Sequence, residues 1–216
     1  MSKVKEIFLA WRPHRGDRRR LVANLIRDGE GILFSYQTAE LKQAKREGFD
    51  FYPGFRDPNK YTSLQAKYLL AMRTIKKGHP FWHPLLDFWE AREQDDVFDI
   101  LAYTQGRSPT DDFEFLARFE AEKGLRFTTD IAGLSYSKLE PGFLKVGDRL
   151  GVKLEPSNQE DKGAVAVYKG DSKIGYVKQV HNLCFKYSNG LTPTLTVKDL
   201  GQNGIIKEVF VKVEFG

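Results

Sequence analysis

Short apolar runs separated by turn-forming residues open the chain. Residues 7–11, 21–26 and 32–36 each read as a strand, with RPHRGDRRR (12–20) between the first pair and Asp28-Gly29-Glu30-Gly31 between the second. This pattern predicts a small antiparallel meander. Helical spacing follows. Residues 38–47 form a first helix, with Thr38 as N-cap and Gly48 as its stop. A second covers 63–77, capped by Ser63, with Tyr68, Leu69, Met72 and Ile75 on one face and Gly78 at its end. Two shorter helices are expected at 85–92 and 96–103, the latter capped by Asp95 or Asp96 and stopped near Gly106. After turn residues at 108–112 comes Phe113-Glu114-Phe115, and the charged stretch from Ala117 to Gly124 reads as an exposed linker.

The second half returns to a period of two. Leu150, Val152 and Leu154 point to one side, and Arg149, Gly151 and Lys153 to the other. Residues 164–168 make a continuous apolar run, as expected of a strand with little exposed surface, and Gly170-Asp171 turns into Lys173-Ile174-Gly175-Tyr176-Val177. Val180, Leu183, Cys184 and Tyr187 form a helical stripe closed by Asn189-Gly190. Strands at 192–200 and 205–215 are joined around Asn203-Gly204, a tight-hairpin signal. The last strand is expected to close a barrel, which removes exposed edges. The predicted class is α+β: an N-terminal mixed domain at 1–116 (small antiparallel sheet plus helices), a linker at 117–126, and a C-terminal β-barrel with one helix at 127–216.

Composition adds bounds. The 216 residues suit one large or two small domains, and 41% hydrophobic with 13% aromatic content supplies a packed core rather than a disordered chain. A net charge of +5 and a pI near 9.1 admit polyanions as partners without requiring them. The single Cys184 has no intramolecular partner, so a buried free thiol in a reducing compartment is expected. With no signal-peptide pattern and no apolar run of ~20 residues, no membrane association is expected and a cytoplasmic location is.

Several stretches invite a chemical reading beside an ordinary one. The arginines of 12–20, Arg18, Arg19 and Arg20 among them, form either a solvated loop, the preferred reading, or a phosphate contact. Phe49, Phe51, Tyr52 and Phe55 either plug one domain against another, again preferred, or stack on unpaired bases. His79 and His83 have metal-like spacing, but a proline follows each and no third ligand is apparent. His181 stands one helical turn from Cys184, and a nucleophilic pair there is not preferred. Asp148 and Asp161 suggest a metal-dependent hydrolase less well than Asn158 and Asp161 suggest a turn whose amides they satisfy. There is no P-loop, G-x-S-x-G, H-E-x-x-H or Cys pair, so no enzyme and no cofactor is expected.

Gly147-Asp148, Leu150, Glu155-Pro156, Asn158, Asp161, Ala164-Val165, Val167 and Gly175-Tyr176 fall in an order and spacing that resemble the HIRAN domain. The resemblance extends back to Gly133-Leu134-Ser135-Tyr136 and covers roughly 127–216. It implies a small barrel related to OB-folds. The best-understood members, fused to eukaryotic DNA-remodelling ATPases, hold the 3′ end of single-stranded DNA. Their pocket uses an Arg-Tyr-Tyr run, an Asp closing the Pro-Asn loop and a His after the later Gly; the matching positions here are Ser135, Tyr136 and Ser137, then Asp161, then Tyr176. Arg, the second Tyr and His are thus replaced, while Tyr136 and Asp161 are kept. More loosely, residues 7–115 are similar to the N-terminal region that accompanies stand-alone bacterial HIRAN domains.

The resemblance implies a non-catalytic DNA-binding module for single strands or ends, in a DNA repair, defence or mobile-element context. Tyr136, Asp161 and Tyr176 would line its groove beside Ser135, with Lys138, Arg149, Lys173 and Lys178 as auxiliary cations. The competing expectation is an accessory subunit that docks another protein within a nucleoprotein assembly; a metal-dependent hydrolase ranks last.

Overall fold

Strands made of β-branched and aromatic residues pair with their sequence neighbours wherever the intervening turn is short, and both halves of the chain are built this way. The computed structural model describes residues 3–14, 17–29, 31–36, 38–56 and 63–216, apart from the side chains of Thr38, Ser63 and Leu64. The caps expected at Thr38 and Ser63, and Arg15, Gly16 and Glu30 of the two expected turns, lie outside this description. The chain divides into two compact units, residues 2–118 and 119–216.

In the first unit β1 (Glu6–Trp11), β2 (Arg20–Arg27) and β3 (Ile32–Tyr36) form the meander, and β4 (Phe113–Ala117) returns to pair with β1. The antiparallel order is β3-β2-β1-β4. Between β3 and β4 run α1 (Thr38–Arg46), α2 (Ser63–Met72), α3 (Trp82–Trp89) and α4 (Val97–Thr104). Asp96 caps α4 by accepting from the backbone N–H groups of Phe98 (3.0 Å) and Asp99 (3.1 Å).

Three expectations for this unit change. Helix α2 ends at Met72, short of Lys77, because Arg73 turns into the unit: its Nε donates to Tyr52 Oη (2.5 Å) and its Nη2 pairs with Asp111 (2.7 Å). The buried face of α2 is Ala66, Leu69 and Leu70, whereas Tyr68 and Met72 are 71% and 72% exposed. Helix α3 starts at Trp82, before Pro84, since a proline in the first turn forfeits no intrahelical bond. Finally, three of the four 49–55 aromatics face inward instead of forming a stacking platform, and Phe51 is half-buried. Phe49, Tyr52 and Phe55 are buried in this unit's own core, against Trp11, Phe113 and Phe34 respectively.

The second unit holds β5 (Arg126–Ala132), α5 (Leu134–Ser137), β6 (Arg149–Leu154), β7 (Val165–Lys169), β8 (Ser172–Val177), α6 (Leu183–Lys186), β9 (Pro193–Asn203) and β10 (Ile205–Phe215). The strands close an antiparallel barrel in the order β10-β5-β8-β7-β6-β9. As expected, the last strand seals it, pairing with β9 across the Gly204 turn and with β5 on its other side. Gly175 marks a tight point. A Cβ there would fall against the Ala132 carbonyl oxygen and 2.6 Å from Ile131 Cγ2, where β8 meets β5.

The region expected to be a linker is structured: Ala117 pairs with Ile7, Phe119 and Leu125 are buried, and Phe119 stacks on Phe127 at 4.2 Å. Helix α6 is a single turn. Val180 stands outside it with φ 74° and Tyr187 is 57% exposed, so the four-residue stripe does not form one helix face. Cys184 is buried as expected; burial pushes its thiol up to about 12, and Sγ donates to the His181 carbonyl (3.1 Å) rather than to the imidazole. His181 Nδ1 instead meets Thr129 Oγ1 (2.9 Å). Among the described residues no helix is long and apolar enough to cross a membrane.

Candidate nucleic-acid interface

The site begins where β5 runs out. Gly133, at φ 78°, turns the chain into α5, and Lys138, at φ 43°, turns it out again. Leu134 is buried and anchors this single turn, leaving Ser135 and Tyr136 on the outside. Ser137 Oγ donates to the Ile174 carbonyl (2.8 Å), tying α5 to β8 two residues before Tyr176. The register pairs Ala132 with Tyr176. Both tyrosine rings therefore edge up to Gly133: a Cβ there would stand 3.6 Å from Tyr176 Cδ2 and 3.9 Å from Tyr136 Cδ2. Tyr136 itself is 91% exposed. An aromatic ring left in water beside a second ring gains little from packing and leaves a flat apolar face open.

The loop between β6 and β7 reaches the same place. Asn158 Oδ1 accepts from the backbone N–H groups of Glu160 (3.0 Å) and Asp161 (3.1 Å), while its Nδ2 donates to Tyr176 Oη (3.3 Å). Tyr176 Oη donates in turn to Glu155 Oε2 (3.1 Å). Lys173 pairs with Glu155 (2.9 Å) and lies 4.4 Å over the Tyr176 ring. The Lys173 hydrogen bond holds the Glu155 carboxyl below the usual carboxylate range against a smaller burial effect, helped by Tyr176 and Asn158. Lys173 is raised, first through Tyr176 and then through Glu155. Asp161 is engaged inside the loop: Oδ1 accepts from the Gly163 N–H (2.7 Å) and Oδ2 from Asn182 Nδ2 (2.8 Å). Asn182 is buried and also donates to the Gly163 carbonyl (2.9 Å), so this carboxylate pins loop to barrel.

Ser135 and Tyr136 thus share α5 with Lys138 at its end, Tyr176 and Lys173 stand beside them on β8, and Asp161 joins through Asn158. Arg149 is exposed at the start of β6, with β7 between it and β8. Two expected contributions fail. Lys178 is fully buried and ion-paired with Asp130, so it presents no charge to solvent. In the other unit, Arg19 forks Glu114 (2.9 and 3.1 Å) and Arg20 forks Glu47 (2.9 and 2.5 Å), while Arg18 is exposed. Arg19 and Arg20 are committed to carboxylates of their own unit, which leaves them poorly suited to phosphate. Glu155 and Asn182 also belong to the site, and nothing in an isolated sequence says that the Glu155 side chain crosses to β8 or that Asn182 meets Asp161.

Residues 125–188 match the family model of the HIRAN domain. The chain contains a HIRAN domain. Among solved structures, it is similar to the crystal structure of the HIRAN domain of human HLTF, at 16% identity over 41% of this chain and 74% of that one, with a TM-score of 0.34. It is also similar to the crystal structure of a protein from Lactobacillus plantarum, at 23% identity over 43% of this chain and 95% of that one, again with a TM-score of 0.34. No curated protein matches the chain. The matched segment spans β5 to α6 and so contains α5, the 155–163 loop and β8, which build the tyrosine site.

Proposed function

We propose that the HIRAN unit is a non-catalytic nucleic-acid-binding module that holds an unpaired strand or a strand end against Tyr136 and Tyr176. HIRAN domains are a family of DNA-binding modules, and this one matches their model over the segment that builds the site. The observation that carries the reading is Tyr136: a ring 91% exposed on a barrel turn, next to a second tyrosine, is the arrangement on which unpaired bases stack. Lys138 follows it on the same exposed turn and supplies a phosphate partner; Arg149 adds a cation two strands away. Fluorescence polarisation of a labelled single-stranded oligonucleotide, repeated across salt concentrations and against duplex, tests this. Single strand is expected to bind better than duplex, with affinity falling steeply as salt rises.

One observation favours docking of a protein instead. In the N-terminal unit a cavity of about 930 Å³ lies between α2 and the 107–111 turn, and exposed Tyr68 and Met72 contribute to its lining. An apolar contact there would give binding that changes little with salt, the opposite of the phosphate signature.

A further inference from the structure

Helix α2 divides its apolar residues between two faces. Ala66, Leu69 and Leu70 are buried in the N-terminal unit, whereas Tyr68 and Met72, one turn apart, stay largely in water. Both of these line the cavity of about 930 Å³, together with buried Tyr52, Phe55 and Leu69. That volume lies near the top of the roughly 300–1,000 Å³ usual for ligand cavities. The apolar lining thus runs from the interior out to the surface, which suits side chains of a segment passing outside better than an enclosed small molecule. Arg73 braces the walls. Its guanidinium donates to Tyr52 Oη (2.5 Å), the Gly106 carbonyl (3.5 Å) and Asp111 (2.7 and 3.1 Å), joining the end of α2 to the 107–111 turn. A cavity braced in this way exists before anything binds, so binding does not have to order it. Charge narrows the class of occupant. Asp111 is the one carboxylate lining the cavity among the described residues, and Arg73 neutralises it. Helix α2 holds no acidic residue. Arg107 also lines the cavity, and Arg56, Lys76 and Lys77, all exposed, directly follow the lining residues Phe55 and Ile75.

We propose that this cavity docks a short acidic segment of a partner protein through one or two large apolar side chains. The apolar anchors enter between α2 and the 107–111 turn and cover Tyr68 and Met72, while carboxylates beside them face Arg56, Lys76, Lys77 and Arg107. Aromatic residues, Met and Arg are the types enriched at such contacts, and methionine adapts its shape to the incoming group. Charges at the rim chiefly speed association, so the affinity comes from the anchors and depends far less on salt than a phosphate contact does. The site belongs to the N-terminal unit and stands whether or not the barrel unit binds nucleic acid.

A phage-displayed library of random dodecapeptides, selected against the immobilised full chain, tests this. The enriched peptides are then synthesised with a fluorescent label and titrated by polarisation. Enrichment of sequences that combine aspartate or glutamate with phenylalanine, tryptophan, leucine or isoleucine is expected. Their affinity should fall about tenfold or more in the double variant Tyr68→Ser/Met72→Ser, and about threefold or more in Lys76→Glu/Lys77→Glu. It should be unchanged in Tyr136→Ala. The four N-terminal side chains replaced are all exposed, so these variants should melt with the wild type. Several results overturn the proposal: no enrichment, enrichment of basic or uncharged sequences, or peptide binding that survives Y68S/M72S. Peptide binding lost in Y136A overturns it too, by placing the peptides on the barrel. So does weaker binding of a single-stranded oligonucleotide in Y68S/M72S, which would give the surface to nucleic acid. A wild-type dimer that Y68S/M72S abolishes in analytical ultracentrifugation would give it to a second copy of the chain, with the same consequence. Failure of the barrel reading shows separately, as a wild type that binds no oligonucleotide yet still binds the peptides.

Discussion

Replacing Lys178 by Met deletes an ammonium while keeping a straight side chain, and so isolates what that charge does. The Lys178 side chain is 0% exposed and that of its partner Asp130 is 11% exposed. Burial decides the magnitude. An exposed pair contributes about 0–1 kcal/mol, whereas removing one member of a buried pair costs about 3–5 kcal/mol because the other charge is left without compensation. At a urea m-value of roughly 1.5 kcal/mol/M, a loss of about 3 kcal/mol lowers the midpoint by roughly 2 M. The assay is urea unfolding followed by a probe of the barrel, such as near-ultraviolet circular dichroism. The double variant K178M/D130N no longer buries an uncompensated carboxylate and should recover at least about half of the loss. A K178M loss below about 1 kcal/mol would place the pair in solvent and refute the reasoning. So would a K178M protein of unchanged stability whose single-strand affinity falls, since that outcome belongs to a surface phosphate contact.

Gly175→Ala should destabilise the barrel by about 1–3 kcal/mol, because the new Cβ meets the Ala132 carbonyl at the β5–β8 seam; a thermal melt equal to wild type would contradict this. Asp161→Ala should cost about 0.5–1.5 kcal/mol per lost hydrogen bond and leave single-strand affinity unchanged, given that both carboxylate oxygens are engaged in pinning the loop to the barrel; a fall in single-strand affinity at unchanged stability would assign Asp161 to the ligand instead. In the N-terminal unit, burial raises Asp96, but bonds from Arg27, the Asp99 backbone and Lys3 outweigh it and hold the carboxyl at about 2. Its folded value lies below the ordinary one, so its stabilisation is full above about pH 4 and is lost as pH falls toward 2. Asp96→Asn retains an N-cap and should flatten that part of the stability–pH curve; an unchanged acid slope would count against this.

Much of the fold was legible because period-two alternation and turn chemistry agreed along the chain. The meander at β1–β3, the apolar β7 and the β9–β10 hairpin around Asn203-Gly204 were all read from that agreement. Strand β5 was not. Its Thr128, Thr129 and Asp130 are polar yet buried, satisfied by partners distant in sequence, so the alternation that reveals a strand is missing. The charged look of 117–126 hid Phe119 and Leu125, two apolar anchors too widely spaced to register as an element. Lysine and arginine were the least readable residues. Lys178 reads like any surface cation until Asp130 appears beside it, and Arg19 and Arg20 like phosphate ligands until Glu114 and Glu47 do. Partners set the role of a charge, and partners come from tertiary structure. At the site, family spacing singled out Tyr136 and Tyr176, but only the β5–β8 register brings both rings beside Gly133.

The central claim is that Tyr136 stacks on an unpaired base, and Tyr136→Ala tests it most directly. At 91% exposure the ring contributes little packing, so the variant should melt with the wild type and any change in binding belongs to the ligand. Titrated with a labelled single-stranded oligonucleotide at fixed salt, Y136A is expected to bind with a loss of about 1–3 kcal/mol, roughly 5- to 150-fold, while Tyr136→Phe stays near wild type. Wild-type affinity retained in Y136A would contradict the account.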